Sequence, residues 1–168
     1  DMQEAALAAL EQGRKEEALA LLERSIPLYP GFPGAYSAKA ELLKQMGRNE
    51  ESIQAFDQSL QLDLAQTDTW FNKADALDNL GRVEEAALCY LKSIDLGPGD
   101  SRVWCDLGHV LGKLQAKAEA LACYEHAVRL KPDNLTAWFN KAGAESNAGC
   151  YEEAIHSFER FLALNPGP

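Results

Sequence analysis

Apolar residues recur at intervals of three and four positions along most of the chain, the spacing that places them on one side of an α-helix. Residues 67–96 carry two such stripes. They consist of Trp70, Ala74, Leu77 and Leu80 in the first and Ala86, Tyr90 and Ile94 in the second. Gly81 lies between them, where a helix end favours a residue that tolerates a positive φ. The pattern therefore predicts two short helices joined by a tight turn.

This two-helix pattern repeats every 34 residues. One aromatic column consists of Tyr36, Trp70, Trp104 and Trp138. A column of small residues consists of Ala40, Ala74, Gly108 and Ala142, and a second aromatic column of Phe56, Tyr90, Tyr124 and Phe158. A proline column consists of Pro30, Pro98, Pro132 and Pro166, with Leu64 as its exception. Four columns in one register establish an internal repeat.

The period divides the chain into a truncated first repeat, 1–32, and full repeats at 33–66, 67–100, 101–134 and 135–168. A hairpin of two short helices cannot bury both apolar faces alone, so neighbouring hairpins must stack and share them. We therefore expect one all-α domain over residues 1–168, with the small column allowing close helix packing. The three tryptophans are expected in buried packing positions.

Together with one more small column, these columns resemble the tetratricopeptide repeat (TPR) family over essentially the whole chain. The additional column consists of Ala18, Ser52, Ala86, Ala120 and Ala154. The resemblance implies a right-handed α-solenoid of antiparallel helix-turn-helix repeats. It also implies a concave groove, lined by the first helix of each repeat, in which partner peptides usually lie.

Three residues depart from the columns. Gln115 occupies the position of the turn glycines, so the turn in the fourth repeat is expected to differ slightly. Glu145 stands in a leucine column, and Phe161 stands in a column of small residues. Because Phe161 would obstruct stacking of a further repeat, we interpret residues 135–168 as the natural end of the array or a junction. The start at Asp1 is interpreted as a trimmed edge.

The net charge is −10, which argues against nucleic acid and anionic membranes as partners. Much of this charge is explained by helix structure, since nine of the 26 acidic residues fall in the first turn of the second helix of a repeat. These are Glu16, Glu17, Glu50, Glu51, Glu84, Glu85, Glu119, Glu152 and Glu153. Carboxylates there interact favourably with the positive end of the helix dipole.

The four cysteines form no Cys-x-x-Cys pair, so we interpret them as free thiols in a reducing compartment such as the cytoplasm. Neither a signal peptide nor a membrane-spanning stretch is present in the sequence. Cys105 with His109, and Cys123 with His126, could each share a helix face, but a zinc site needs further ligands. No catalytic or phosphate-binding motif is found. We therefore expect no metal, no cofactor and no enzymatic activity.

The resemblance assigns specific residues to the groove: Phe71, Asn72, Asp75, Cys105, Asp106, His109, Phe139 and Asn140. Exposed aromatic residues in such a surface are typical anchors for a partner. Asparagine carboxamides can bind a peptide backbone, although they can equally serve only to satisfy local polar groups. The acidic and aromatic character favours a partner with basic and hydrophobic side chains. It disfavours the dicarboxylate tails that some relatives bind.

Three functions remain open at this point. The leading hypothesis is a scaffold or adaptor that binds a peptide segment of a partner protein. The second is self-assembly through the open edge of the array, and the third is an excised recruiting or regulatory domain of a larger enzyme. Sequence pattern alone does not identify the partner.

Overall fold

The computed structural model describes residues 2–165, which fold as ten α-helices and one turn of 3₁₀ helix at Ile26–Leu28, with no strand among them. Pro166, the last member of the proline column, lies outside the described residues, as do Asp1, Gly167 and Pro168. The helices are α1 Met2–Glu11, α2 Lys15–Ser25, α3 Pro33–Gln45, α4 Asn49–Leu62, α5 Thr67–Asn79, α6 Val83–Leu96, α7 Ser101–Lys113, α8 Lys117–Leu130, α9 Leu135–Asn147 and α10 Tyr151–Leu164. The predicted all-α class is confirmed.

Helix packing divides the chain into two compact units, Asp1–Arg82 and Val83–Pro168. In both units, helices that follow one another along the chain pack together, α1 to α5 in the first and α6 to α10 in the second. Four helices begin where the 34-residue period begins its full repeats, at Pro33, Thr67, Ser101 and Leu135.

The core of the first unit is built from the repeating columns. Phe56, Ala40 and Ala74 are all fully buried, because the small residues let the helices approach and the ring fills the remaining space. Ser52, a member of the additional small column, is also fully buried and donates a hydrogen bond of 2.7 Å from its hydroxyl to the Ala40 carbonyl. A serine fits there because its only polar group has a backbone partner.

In the second unit, the core packs Tyr124, Ala127 and Val128 of α8 against Cys105 of α7 and Ala137 of α9. Gly108 on α7 leaves room for the Tyr124 ring of α8 to lie directly against the helix backbone. A Cβ at that position would lie 2.7 Å from Cε1 of Tyr124.

The first aromatic column combines the predicted packing with a hydrogen bond that the sequence did not predict. Trp70, Trp104 and Trp138 are only partly buried. Each indole N–H donates to the backbone carbonyl six residues earlier, at 3.0 Å, 2.9 Å and 2.9 Å respectively. Those carbonyls belong to the proline column and its exception, Leu64. The column therefore favours an aromatic ring with a donor at its edge, and Trp104 and Trp138 also pack against the core of the second unit.

The turn at Gln115 does not differ as expected. Its φ is 61°, beside 75° at Gly47 and 73° at Gly81. The hydrogen bonds also match: the residue after each turn position donates to the carbonyl five residues earlier, at 3.0 Å for Ala116 and 2.9 Å for Arg48. The fourth repeat therefore forms the same turn with a residue that adopts this conformation at a cost.

Replacing Gln115 with glycine should raise the free energy of unfolding by about 1 kcal/mol, because glycine adopts a positive φ without steric cost. Urea denaturation followed by circular dichroism measures the change. The matched control is Gly47→Gln, for which we expect a loss of similar size. A destabilised Gln115→Gly protein would contradict this account of the turn.

Glu145 is buried in the last helix pair, with 3% of its surface exposed. It accepts hydrogen bonds from the Lys141 ammonium and, at 2.6 Å, from the Ser157 hydroxyl. Lys141 also donates to the Ser157 oxygen at 3.0 Å. A charged residue can therefore occupy this leucine column because two partners compensate for its desolvation.

Candidate functional site

In the first unit, the predicted groove residues Asn72 and Asp75 are joined by a residue that the sequence did not single out. The Lys44 ammonium, on α3, donates to Asn72 Oδ1 at 2.7 Å and to Asp75 Oδ2 at 2.9 Å, both on α5. Asn72 in turn donates to Glu41 Oε1 at 3.4 Å. The Asn72 carboxamide thus satisfies neighbouring polar groups, which was the alternative to binding a peptide backbone.

This surface still carries more negative than positive charge. Glu41 and the exposed Asp68 accompany the Lys44–Asp75 ion pair. Partial burial raises the pKa of Glu41, the Lys44 ammonium lowers it, and the Asp68 carboxylate raises it. Desolvation therefore disfavours the charged form of Glu41, and the Lys44 ammonium offsets part of that effect.

The two predicted aromatic anchors differ in exposure. Phe71 is partly buried on α5, whereas Phe139 on α9 has 53% of its surface exposed. The ring of Phe139 lies edge-on to Phe158 at 6.1 Å between centroids and contacts Phe161 at 5.5 Å. Phe161 thus supports the exposed ring from α10, and Phe139 is the more exposed ring of the two.

The remaining predicted residues lie on α7 and α9 of the second unit. His109 is exposed and Asp106 is partly buried, but Cys105 lies beneath the surface with 3% of its area exposed. The Asn140 amide donates to Cys105 Sγ at 3.6 Å. Burial raises the pKa of the Cys105 thiol to about 11, so this cysteine is a neutral packing residue under the surface.

Next to Phe139, the second unit has an open cleft of about 540 Å³. Its floor and walls include Gly112, Lys117, Tyr124, Phe139, Asn140 and Gly143. The two glycines leave it open, since a Cβ at either position would meet no atom within 4 Å. The sequence did not single out this cleft. The sequence feature that could have predicted it is glycine at two groove-facing positions where other repeats carry longer residues.

The same change at two glycines should have opposite effects on stability. At Gly143 an added methyl group meets open space, so Gly143→Ala should raise the free energy of unfolding by about 0.5–1 kcal/mol through helix propensity. At Gly108 it would press on the buried Tyr124 ring, so Gly108→Ala should lower it by about 1–3 kcal/mol. Urea titrations of both variants test this, and shifts in the same direction would contradict the packing described.

The two pairs Cys105–His109 and Cys123–His126 were the candidate metal ligands in the sequence. No group of three or more potential metal ligands occurs in the part of the chain that the structure describes. His126 packs against Trp104 with 4.1 Å between ring centroids, and its Nδ1 lies 3.2 Å from the Arg129 guanidinium. None of the helices within 2–165 is long and apolar enough to cross a membrane.

Solved structures resemble the chain over nearly its whole length. MamA from Desulfovibrio magneticus RS-1, from residue 41 to its end, superposes with a TM-score of 0.93 at 18% identity, covering 98% of this chain and 93% of that one. PilF from Pseudomonas aeruginosa gives a TM-score of 0.86 at 22% identity, covering 99% and 76%. YrrB, described as a TPR protein with an unusual peptide-binding site, gives 0.84 at 17%, covering 98% and 85%. At these identities the likeness concerns the fold, and it confirms the predicted α-solenoid class.

Comparison with family models is more specific. Two models, each described as tetratricopeptide repeat, match residues 37–101 and 107–168. By sequence comparison, none of the curated proteins matches the chain. Proteins with this repeat are generally protein-interaction modules and typically not catalysts. With the 34-residue columns, the paired helices and both family models in agreement, the chain belongs to the tetratricopeptide repeat family.

Proposed function

We propose that this protein is a non-catalytic scaffold or adaptor that binds a peptide segment of a partner protein on the surface of its first helices. The observation that carries the proposal is Phe139: it is half exposed, supported from behind by two rings, and borders a cleft. An exposed aromatic ring that is held in place by its neighbours loses little conformational freedom when a partner packs on it.

Each unit, taken by itself, offers its own chemistry to a peptide. In the first, Glu41, Asp68 and Asp75 outnumber Lys44, which favours basic side chains. In the second, Phe139 and the cleft favour hydrophobic side chains. The acidic surface disfavours nucleic acid and anionic lipid, and the four free cysteines suit a reducing compartment such as the cytoplasm.

The proposal is tested with a displayed library of random short peptides, selected on the immobilised protein. Affinities of the selected peptides are then measured for the wild type, for Phe71→Ala/Phe139→Ala and for Leu88→Ala. Leu88 is the matched control, since it is an apolar residue with 64% of its surface exposed but lies on a second helix, α6. We expect the double variant to bind roughly tenfold or more weakly and the control to bind as the wild type does. Equal affinity for the wild type and the double variant would contradict the proposed surface.

Self-association is a second candidate, favoured by the outer face of α10. Tyr151, Ile155 and Leu162 expose between 60% and 66% of their surface and lie on one helical stripe. Two residues in corresponding columns of the first unit, Ile53 and Leu60, are buried at 5% and 3%. The stripe on α10 therefore uses positions that are buried between helices in the first unit.

Sedimentation velocity over a concentration series distinguishes this candidate. Self-association through α10 predicts a sedimentation coefficient that rises with concentration and ceases to rise in Ile155→Lys/Leu162→Lys. A wild-type protein that sediments identically at all concentrations would exclude it, and a peptide binder without its partner should behave in that way.

A further inference from the structure

Two repeat positions that line the cleft in the second unit are occupied by larger side chains in the first unit. A shift of 68 residues, or two periods, relates α3 and α5 to α7 and α9. It relates Lys44 to Gly112, Asp75 to Gly143 and Asn72 to Asn140. The first unit therefore spans this space with an ion pair between Lys44 and Asp75, and the second unit keeps only the asparagine.

Both members of the ion pair are absent in the second unit, so no partly buried charge is left there without its partner. Replacing both partners of a pair has a small effect on stability, whereas losing one leaves the other unpaired. What remains is a space lined by the rings of Tyr124 and Phe139 and by Ala120 and Ala144, with a polar lining of Gln115, Lys117, Asn140 and Asn147. Asn140 lies at its edge, and among the described residues its carboxamide oxygen accepts no hydrogen bond.

We propose that this cleft is a specificity pocket that receives one uncharged, apolar side chain of the bound peptide, while Asn140 bonds the peptide backbone beside it. The inference rests on the proposed function and specifies the ligand chemistry of the same surface. The carboxamide offers a donor and an acceptor, which matches the N–H and C=O of an extended backbone.

Charge decides against a cationic side chain in the cleft. Lys44 finds a carboxylate at Asp75 in the first unit, but the residues that line the cleft include no carboxylate. The charged residue among them is Lys117, which would repel an incoming ammonium group. A lysine or arginine of the peptide would therefore lose hydration without gaining a counter-ion.

The sharpest test fills the cleft with the first unit's own residues. Gly112→Lys/Gly143→Asp introduces into the second unit the pair that Lys44 and Asp75 form in the first, and it leaves the net charge unchanged. Both positions lie in helices with open space at the Cβ, and both new residues are better helix formers than glycine. A loss of binding in this variant therefore cannot be attributed to a loss of folding, and circular dichroism checks this directly.

Three blocked amino acids serve as probes: N-acetylleucinamide, N-acetylphenylalaninamide and N-acetyllysinamide. Each is titrated into ¹⁵N-labelled protein at millimolar concentration. We expect the two apolar probes to shift the amide resonances of Gly112, Asn140 and Gly143 in the wild type. The lysine probe should leave them in place, and all three should leave these sites unmoved in the filled variant. Stronger shifts with the lysine probe, or none with either apolar probe, would overturn the inference.

Display-selected peptides separate this inference from the proposed function. If they bind the wild type and bind the filled variant at least tenfold more weakly, both stand. If they bind both proteins equally, peptide binding survives and the pocket assignment fails. If no peptide is selected, the proposed function fails, and the pocket assignment fails with it even where the apolar probes still occupy the cleft.

Discussion

Replacing Lys141 with leucine should lower the free energy of unfolding by about 3 kcal/mol, although the side chain lies next to the surface. The change removes one of the two groups that compensate the buried Glu145 carboxylate and leaves only the Ser157 hydroxyl. An unpaired buried charge costs several kcal/mol more than a paired one. Urea denaturation followed by circular dichroism measures the effect.

The matched variant is Glu145→Leu, which should be close to neutral or slightly stabilising. It recreates the combination of lysine and leucine that other repeats use, as in Lys39 with Leu43 and Lys73 with Leu77. Lys141 can extend its ammonium towards solvent once the carboxylate is gone, whereas Glu145 is too deeply buried to do so. Equal destabilisation by the two substitutions would contradict this asymmetry.

The second large effect is expected at Phe56. Its side chain is fully buried between helices of the first unit, so Phe56→Ala should lower the free energy of unfolding by about 3–5 kcal/mol. The loss combines the transfer free energy of the ring with the cavity that it leaves.

Phe158 provides the control because it occupies the same column of the repeat. There 36% of the residue's surface is exposed, so Phe158→Ala removes fewer contacts and should cost about 1 kcal/mol. Both variants are compared by the same urea titration. Similar losses at both positions would mean that burial does not distinguish them, contrary to the packing described.

The helices were predictable because every repeat must bury the same faces against its neighbours. Small residues such as Ala40 and aromatic residues such as Phe56 recur for that reason, and the helix at Pro33 begins where the period places it. The hydrogen bonds of the tryptophans were not predictable, because a column that repeats for its hydrogen bond to a turn carbonyl looks the same in sequence as one that repeats for burial. Only the position of the acceptor distinguishes them.

The candidate site was predictable as a set of helix positions but not as a set of interactions. Whether Lys44 reaches Asn72 depends on the distance between α3 and α5, which no periodicity encodes. The burial of Cys105 likewise follows from how α7 and α9 pack. The glycines at positions 112 and 143 indicate the cleft, but only once it is known that Lys44 occupies the corresponding space in the first unit.

The most direct test of peptide binding at Phe139 and its cleft is a nuclear magnetic resonance titration. A display-selected peptide is added to ¹⁵N-labelled wild-type protein. We predict that the largest amide shifts lie around Gly112 and along residues 139–143, where Phe139 and Asn140 border the cleft. Shifts confined to the outer face of α10, with residues 139–143 unchanged, would contradict the account and place the interaction elsewhere.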